Sequence, residues 1–303
     1  MSEFPPTPYP SFSADEIASF LAMQQLILEK QSKSEPFFIG RLSGNEPFFC
    51  ISYLRTRTPD QNLINKMLFG AGIQLLSQTD TEDYVKTYIE SFSQCDMVGV
   101  WHGGAMYTQT SDFYEIIKKH ITKWWTPICA TGLEPFYYMN HPQYNFARIF
   151  ERKRVLILSS HSKTIKRQLH KKVFTTPIFH ETTKLFVHKT PQQNGGSHDH
   201  QSWKSHFGAL KADVRRIQTA FFDFDIALVS CGGFGMPICH YIRQDLGKSV
   251  IYVGGGLQLF FGIMGKRWEN SPKILEHVND EWTRTLDVDK PARPELCEGS
   301  CYW

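Results

Sequence analysis

The sequence predicts an α/β protein: a mostly parallel, Rossmann-like sheet with helices on both faces. Three runs carry this prediction, RVLILSS (154–160), FDIALVS (224–230) and SVIYVGG (249–255), because each is almost continuously apolar. A strand with one solvated face alternates apolar and polar residues, whereas a strand covered on both faces stays apolar throughout. Helical patterns lie between these runs, and strands that alternate with helices are typical of a parallel sheet.

The remaining predicted elements also alternate between helices and strands along much of the chain. Residues 1–12 hold four prolines, which predicts an extended arm ahead of one α/β domain over residues 13–303 with an extended C-terminal tail. A capping-box pattern from Ser13 to Glu16 begins a helix that reaches about residue 31. The other predicted elements are a strand at 36–40, a helix with Pro47 in its first turn, helices at 61–77 and 82–93, a strand at 96–101, helices at 111–121, 161–172, 201–221 and 236–247, and a helix starting near residue 256.

The composition of the chain limits which classes of molecule we expect it to bind. The chain has 303 residues with 33 basic and 30 acidic ones, so its formal charge is only +3. A nearly balanced charge argues against a nucleic-acid partner. No apolar run approaches the roughly 20 residues that span a bilayer. No signal-peptide pattern opens the chain, and seven cysteines do not pair into a disulfide framework, so a cytoplasmic protein is expected. The sequence is compatible with a homo-oligomer.

Four strand ends are candidates for a binding site. The loops are RLSGNE (41–46), SSHSKT (159–164), SCGGFGMP (230–237) and GGGLQ (254–258). In open α/β sheets, ligands bind beyond the carboxyl ends of the strands. Small residues there let backbone N–H groups approach an anion, and the following helix presents its positive N-terminus. These loops together predict a pocket for a diphosphate.

Other site types fit less well. SCGGFG matches neither the P-loop pattern nor a dinucleotide fingerprint, which belongs to the first βα unit. Ser159 and Ser230 lack the G-x-S-x-G elbow of a serine nucleophile. Cys231 is expected to be a small buried residue rather than a nucleophile. The HDH stretch at 198–200 is a weak candidate for metal binding, because surface loops often collect histidines.

The order of these loops resembles that of the GT-D class of glycosyltransferases. RLSGNE is similar to the R-x-G-D-G-E first loop of that class, and LSSHS (158–162), SCGGFGMP (230–237) and GGGLQLFFGIMGKRW (254–268) follow in sequence. The resemblance covers about residues 37–268. It implies transfer of a sugar, hexosyl or pentosyl, from a nucleotide-sugar donor, typically UDP-linked, to a glycan acceptor in polysaccharide biosynthesis.

The resemblance also implies an Asp-x-Glu pair that holds Mn²⁺ or Mg²⁺ at the donor diphosphate. In this chain Gly44 stands at the Asp position, which leaves Glu46 alone. Glu46 is then either a ligand of a cation that donor phosphates also bind, or the general base that activates the acceptor hydroxyl. A purely structural alternative is a glutamate placed favourably at a helix N-terminus.

Site residues are predicted in three groups. The catalytic candidates are Glu46, Arg41 and His161, the last acting as a protonated donor or simply capping a helix. The nucleotide-sugar-binding candidates are Gly44, Asn45, Ser159, Ser162, Lys163, Gly232, Gly233, Gly235, Gly254, Gly255, Gly256 and Gln258. The acceptor-side candidates are His102, Glu134 and Trp268. Two rival interpretations share the anion loops: another nucleotide-processing α/β enzyme, and a nucleotide-sugar-binding module that lacks catalysis.

Overall fold

A computed structural model describes residues 16–101 and 125–303, together with positions 113, 115–117 and 119. Seven strands form its central sheet, and every pair of neighbours is parallel. Their bounds are β1 Phe38–Arg41, β2 Met97–Val100, β3 Thr126–Cys129, β4 Arg154–Ser159, β5 Lys184–Lys189, β6 Ile226–Ser230 and β7 Ser249–Tyr252. The order across the sheet is β3-β2-β1-β7-β6-β4-β5. The α/β class and the parallel sheet predicted from sequence are therefore confirmed.

Helices and short turns connect these strands. The α-helices in the described part of the chain are α1 Glu16–Ser32, α2 Asn45–Thr56, α3 Gln61–Lys66, α4 Gln78–Glu90, α5 Phe146–Ile149, α6 Ser162–Gln168, α7 Trp203–Arg216, α8 Gly235–Gln244 and α9 Pro272–Leu275. Two π-helical segments, Met67–Ala71 and Ile217–Phe221, continue α3 and α7. A small second sheet pairs β8 (Ile263–Met264) with β9 (Thr283–Arg284).

Both faces of the large sheet are buried, which explains the continuously apolar strands. Along β4, Val155 and Ile157 enter one apolar core, whereas Leu156 and Leu158 enter the other. All four side chains are fully buried. Because each of them contributes about 1.5–3 kcal/mol when it leaves water, a polar residue at any of these positions would be costly.

Different helices cover the two faces. On one face, α2, α4, α7 and α8 bury side chains such as Phe49, Tyr84 and Ile238 against the sheet. On the other face, α1, α5 and α6 do so with Phe20 and Ile165, together with the 3-10 segment Gly254–Phe261. Within the described residues, no helix is long and apolar enough to cross a membrane.

Sequence patterns missed both edge strands. β3 begins with an exposed threonine, and β5 (KLFVHK) has exposed lysines at its two ends. An edge strand is covered less completely than a central one, so its sequence is not continuously apolar. For this reason neither segment shows the pattern by which the central strands were recognised.

Two helix predictions were wrong in their bounds, and one was wrong in type. The helix predicted at 61–77 stops at Ala71, because Gly72 takes a left-handed φ of 72° and ends it. The one predicted at 82–93 begins earlier, at Gln78, where Ser77 caps the Asp80 N–H. The segment near residue 256 is 3-10 rather than α-helical. The arm at 1–12 lies outside the described residues, and the helix at 111–121 lies largely outside them.

The chain reverses direction across the sheet between β4 and β6. β4 connects outward to β5, whereas its neighbour β6 connects in the opposite direction to β7, beside β1. Loops that leave neighbouring strands in opposite directions leave a crevice at the carboxyl ends of those strands. The fold therefore places a crevice beside the four loops that the sequence singled out.

Candidate functional site

A cavity of about 470 Å³ lies in this crevice. The loops after β1, β4, β6 and β7 contribute to its wall, and Trp101 after β2 and residues 191–194 after β5 complete that side. The lining also includes Arg267 and three residues near the end of the chain, Glu298, Tyr302 and Trp303. A cavity of this size is within the range of small-molecule and cofactor sites.

Arg41 is the last residue of β1 and is fixed by three neighbouring parts of the fold. Its Nη1 donates to the Val253 carbonyl at 2.5 Å, and its Nη2 lies 3.8 Å from the Glu134 carboxylate. The guanidinium also stacks over the Trp101 ring, 4.7 Å from the ring centre. The residue as a whole is 6% exposed, and its Nε is buried with no hydrogen-bond partner. Arg41 is thus a rigid positive charge at the cavity wall with unused donor capacity.

Glu46 lies in the first turn of α2 and is 3% exposed. Burial raises the pKa of its carboxyl, hydrogen bonds from Ser43 and the start of the helix oppose this shift, and the nearby negative charge of Glu298 raises the pKa further. The buried Tyr84 and Tyr88 are among its surroundings. Burial raises the pKa of both tyrosine hydroxyls, and the negative charge of Glu46 raises it further. A carboxylate with a raised pKa is a stronger base than a free glutamate, so Glu46 is suited to accept a proton.

His161 immediately precedes α6, but its side chain makes no capping hydrogen bond. Burial lowers its pKa to about 4, and the negative charge of Asp289 only partly opposes this. The ring is therefore neutral at pH 7, so the predicted role of a protonated donor does not hold. Its Nε2 is buried without a hydrogen-bond partner, and the ring stacks on Trp303 with centres 6.1 Å apart. A neutral imidazole in this position can still donate one hydrogen bond to a ligand.

Two glycines of the cavity wall could not be replaced by larger residues without strain. Gly232 has a φ of 54°, and a Cβ there would lie 2.6 Å from the Ala71 carbonyl oxygen. Gly254 has a φ of 70°, and a Cβ would lie 2.5 Å from Nη1 of Arg41. Left-handed backbone favours glycine, and a missing side chain leaves peptide groups accessible from the cavity.

Eight of the predicted site residues line this cavity. They are Arg41, Gly44, Asn45, Glu46, His161, Gly232, Gly254 and Gly255. The first loop therefore contributes most of its length, and the other three loops contribute at least one residue each. His102 lies outside the described residues.

The remaining predicted donor-site residues do not line the cavity; these are Ser159, Ser162, Lys163, Gly233, Gly235, Gly256 and Gln258. The Ser159 Oγ accepts the backbone N–H of His161 at 3.1 Å, and Gln258 donates to the Ile263 and Tyr302 carbonyls. Lys163 is exposed to solvent on α6. Gly233 and Gly235 pack under the Ile73 and Tyr252 side chains. Ser159, Gln258, Gly233 and Gly235 are thus engaged in hydrogen bonds or packing within the protein rather than facing the cavity.

The two described acceptor-side candidates are also displaced from the cavity. Glu134 is 5% exposed and lies behind Arg41, where Gly256 packs against its carboxylate. Trp268 is 4% exposed and belongs to the apolar core. Neither side chain is placed to stack on, or bond to, a ligand in the cavity.

Several residues that line the cavity were not predicted. They are Ser43, residues 70–72, Trp101, Ser160, residues 191–194, Ser230, Cys231, Phe234, Tyr252, Arg267, Glu298, Tyr302 and Trp303. Residues 191–194 follow the missed strand β5, so recognising KLFVHK as a strand would have identified them. Arg267 lies within the stretch 254–268 that carries the resemblance, but it was not among the predicted site residues. Glu298, Tyr302 and Trp303 belong to the C-terminal tail, which no strand-end pattern marks. Burial raises the pKa of Cys231 above its usual range, in agreement with an unreactive thiol.

Metal binding has no ready-made cluster of ligand side chains in the described part of the chain. Within residues 16–101 and 125–303, no group of three or more His, Cys, Asp or Glu side chains is placed to hold a metal ion. In the HDH loop, Asp199 pairs with His206 at 2.9 Å. In the first loop, position 44 is glycine instead of aspartate, so Glu46 is the carboxylate of that loop that could bind a cation. Binding of Mn²⁺ or Mg²⁺ at Glu46 therefore stays a prediction.

Fold and cavity define a parallel α/β protein with a ligand-sized cavity at the carboxyl edge of its sheet. Comparison with known proteins adds no closer assignment: no family model matches the chain, and no curated protein and no solved structure is significantly similar to it.

Proposed function

We propose that this protein is a GT-D-like glycosyltransferase that moves a sugar from a UDP-linked or related nucleotide sugar to a glycan acceptor. One observation carries the proposal. Arg41 and Glu46, from a single loop after β1, meet the glycine backbone after β6 and β7 in one cavity. This brings an anion-binding group, a base and accessible peptide N–H groups together around a space that fits a nucleotide sugar.

The donor diphosphate would bind on the glycine-lined side of the cavity. Gly232 and Gly254 line that side without side chains of their own, and the helices α2 and α8 begin nearby, at Asn45 and Gly235. Helix N-termini and free N–H groups favour negative charge. Arg41 Nε and the neutral His161 would add hydrogen bonds to the phosphate oxygens, and such donors stabilise the charge that develops on the leaving diphosphate.

Glu46 would act as the general base. Its carboxylate takes the proton of the acceptor hydroxyl, and the acceptor oxygen forms a bond to the anomeric carbon of the donor sugar. The bond between that carbon and the diphosphate oxygen breaks, and its electron pair leaves with the nucleoside diphosphate. The raised pKa of Glu46 favours the proton transfer, because a more basic carboxylate holds the proton more firmly.

Calorimetric titration with UDP, GDP and UMP, each with and without Mn²⁺, tests the donor site. We expect UDP to bind more tightly than UMP, because a diphosphate meets more of the donors in the wall. Absence of binding by every nucleoside diphosphate would refute the proposal.

Glu46→Gln tests the base. We expect the variant to retain its affinity for UDP but to lose transfer or hydrolysis of UDP-sugars, by about 10²–10⁴-fold. Glu82→Gln is the control, because Glu82 lies on α4, bonded to Tyr53 and Gln78, away from the cavity. If Glu46→Gln instead removes only Mn²⁺-dependent binding, the residue is a cation ligand.

A non-catalytic nucleotide-sugar-binding module is the second candidate. Gly44 favours this candidate, because the resemblance implies a catalytic-loop aspartate at that position and glycine supplies no carboxylate. Binding of UDP-sugars without transfer or hydrolysis of any member of a donor panel would support this candidate over the enzyme.

A further inference from the structure

Residues 297–303 contribute Glu298, Tyr302 and Trp303 to the cavity lining and contain strained backbone. Three consecutive residues, Glu298, Gly299 and Ser300, have φ values of 48°, 64° and 66°. Left-handed backbone suits the glycine but is unfavourable for the glutamate and the serine. Strained backbone of this kind persists only where surrounding contacts hold it, and it concentrates at functional sites.

Arg267 makes several of the contacts that hold this segment. Its backbone N–H donates to the Cys301 carbonyl at 2.9 Å, and its Nη2 donates to the Glu298 carboxylate at 2.5 Å. The guanidinium also lies over the Tyr302 ring, 4.7 Å from its centre. Beyond it, Trp303 stacks on His161, and its Nε1 is buried without a hydrogen-bond partner.

Arg41 and Arg267 approach the same end of the cavity. Burial raises the pKa of Glu134, and the positive charges of Arg41 and then Arg267 oppose that shift, so both guanidinium groups lie near one carboxyl. The two arginines differ in their counter-charges. Arg41 faces the buried Glu134, whereas Arg267 is paired with Glu298, whose side chain is 40% exposed. The partner of Arg267 is therefore the one that solvent and ligand can reach.

Glu298 also lies close to the candidate base. Its negative charge contributes to the raised pKa of Glu46, and both side chains line the cavity. Glu298 is thus paired with a cavity arginine and lines the same cavity as the residue proposed to accept the substrate proton. An anionic group of a ligand would be expected in that same position.

We propose that Arg267 binds the diphosphate of the ligand. Without ligand, the Glu298 carboxylate takes the place of that diphosphate beside Arg267, and the diphosphate displaces Glu298 when it enters. This inference rests on the proposed function for the class of ligand. A diphosphate offers more negative charge and more acceptor oxygens than one carboxylate, and arginine binds such groups with two parallel hydrogen bonds. Release of Glu298 lets residues 298–300 leave their strained conformation and takes a negative charge away from Glu46.

Calorimetric titration of UDP and of inorganic pyrophosphate into the whole chain tests this exchange. We expect Glu298→Gln to strengthen binding of both probes on the order of twofold to fivefold, the range of a partly exposed ion pair. Arg267→Met should weaken both roughly tenfold or more, because a charge-assisted pair is lost, whereas Arg267→Lys should weaken them less. In the Arg267→Met background, Glu298→Gln should have no further effect.

Glu295→Gln is the matched control, because Glu295 pairs with Arg293 on the exposed surface at 3.2 Å and does not line the cavity. It should leave both affinities unchanged.

The possible results separate this inference from the proposed function. If UDP binds and neither Arg267→Met nor Glu298→Gln alters its affinity, the inference is overturned and the donor site stands. If pyrophosphate responds to both substitutions but UDP binds no better than pyrophosphate, the inference is supported and the nucleotide site is contradicted. If neither probe binds to the unsubstituted chain or to Glu298→Gln, both are overturned.

Discussion

The buried pair of Arg41 and Glu134 makes a quantitative prediction about how the first loop is held. The two side chains are each 7% exposed, and their charged groups lie 3.8 Å apart. With an effective dielectric constant of about 20, Coulomb's law gives an attraction of about 4 kcal/mol at this separation. Arg41→Met removes that attraction, leaves Glu134 buried without its cation, and removes the hydrogen bond to the Val253 carbonyl.

We expect Arg41→Met to lower the free energy of unfolding by about 3–5 kcal/mol, as when one partner of a buried ion pair is removed. Glu134→Gln should cost less, because Arg41 keeps Val253 and Trp101 as partners. The double variant should cost about 1–3 kcal/mol less than the sum of the two single variants, because each single variant already breaks the same interaction.

Urea unfolding at pH 7, followed by circular dichroism, measures all three variants. Lys86 and Glu90 provide the control, because they lie at nearly the same separation, 3.9 Å, but are 73% and 55% exposed. Their cycle of Lys86→Met and Glu90→Gln should show coupling close to zero, since exposed pairs are screened by water. If the costs at Arg41 and Glu134 simply add, within about 0.5 kcal/mol, the buried pair does not hold the loop.

Two further predictions concern the cavity wall. Because the pKa of Glu46 is raised in the folded state, its contribution to stability is present below the ordinary glutamate pKa and is lost as pH rises through the folded-state pKa. Glu46→Gln should therefore gain stability relative to wild type as pH rises above the ordinary glutamate pKa, and a difference in melting temperature that does not vary with pH would contradict this. Gly232→Ala should lower the free energy of unfolding by about 1–3 kcal/mol and weaken UDP binding, since its Cβ would meet the Ala71 carbonyl. Gly208→Ala, in α7 with open space around it, should instead stabilise by about 0.5–1 kcal/mol; equal denaturation curves for the two variants would show that the wall tolerates a Cβ.

The central strands could be predicted because their burial on both faces produces a continuous run of apolar residues. Residues 155–158 enter two cores in alternation, so every position must be apolar, and a continuous apolar run is visible without any knowledge of the fold. The edge strands β3 and β5 lack this signal because solvent reaches part of each. Gly72 ended a predicted helix for a related reason: its left-handed backbone accompanies packing against residues 193 and 194, which sequence spacing does not reveal.

The site was predictable only where it follows strand ends. Glu46 and Gly232 were found because each follows a recognisable strand, and the carboxyl ends of parallel strands share one edge. Arg267 and Trp303 were missed because neither of them directly follows a strand of the large sheet. The protonation of His161 was also beyond sequence reasoning, because its lowered pKa comes from burial by residues distant along the chain.

The sequence by itself determined the parallel α/β class and the edge of the sheet where a ligand would enter, because apolar runs and strand-end loops are properties of contiguous residues. Tertiary structure alone decided which side chains face the cavity and which stand behind it. Arg41 and Glu134 are 93 positions apart (134 − 41), and Arg267 and Glu298 are 31 apart (298 − 267). Such pairs meet because helices and loops pack on a common sheet, and that packing depends on the shape of the whole core.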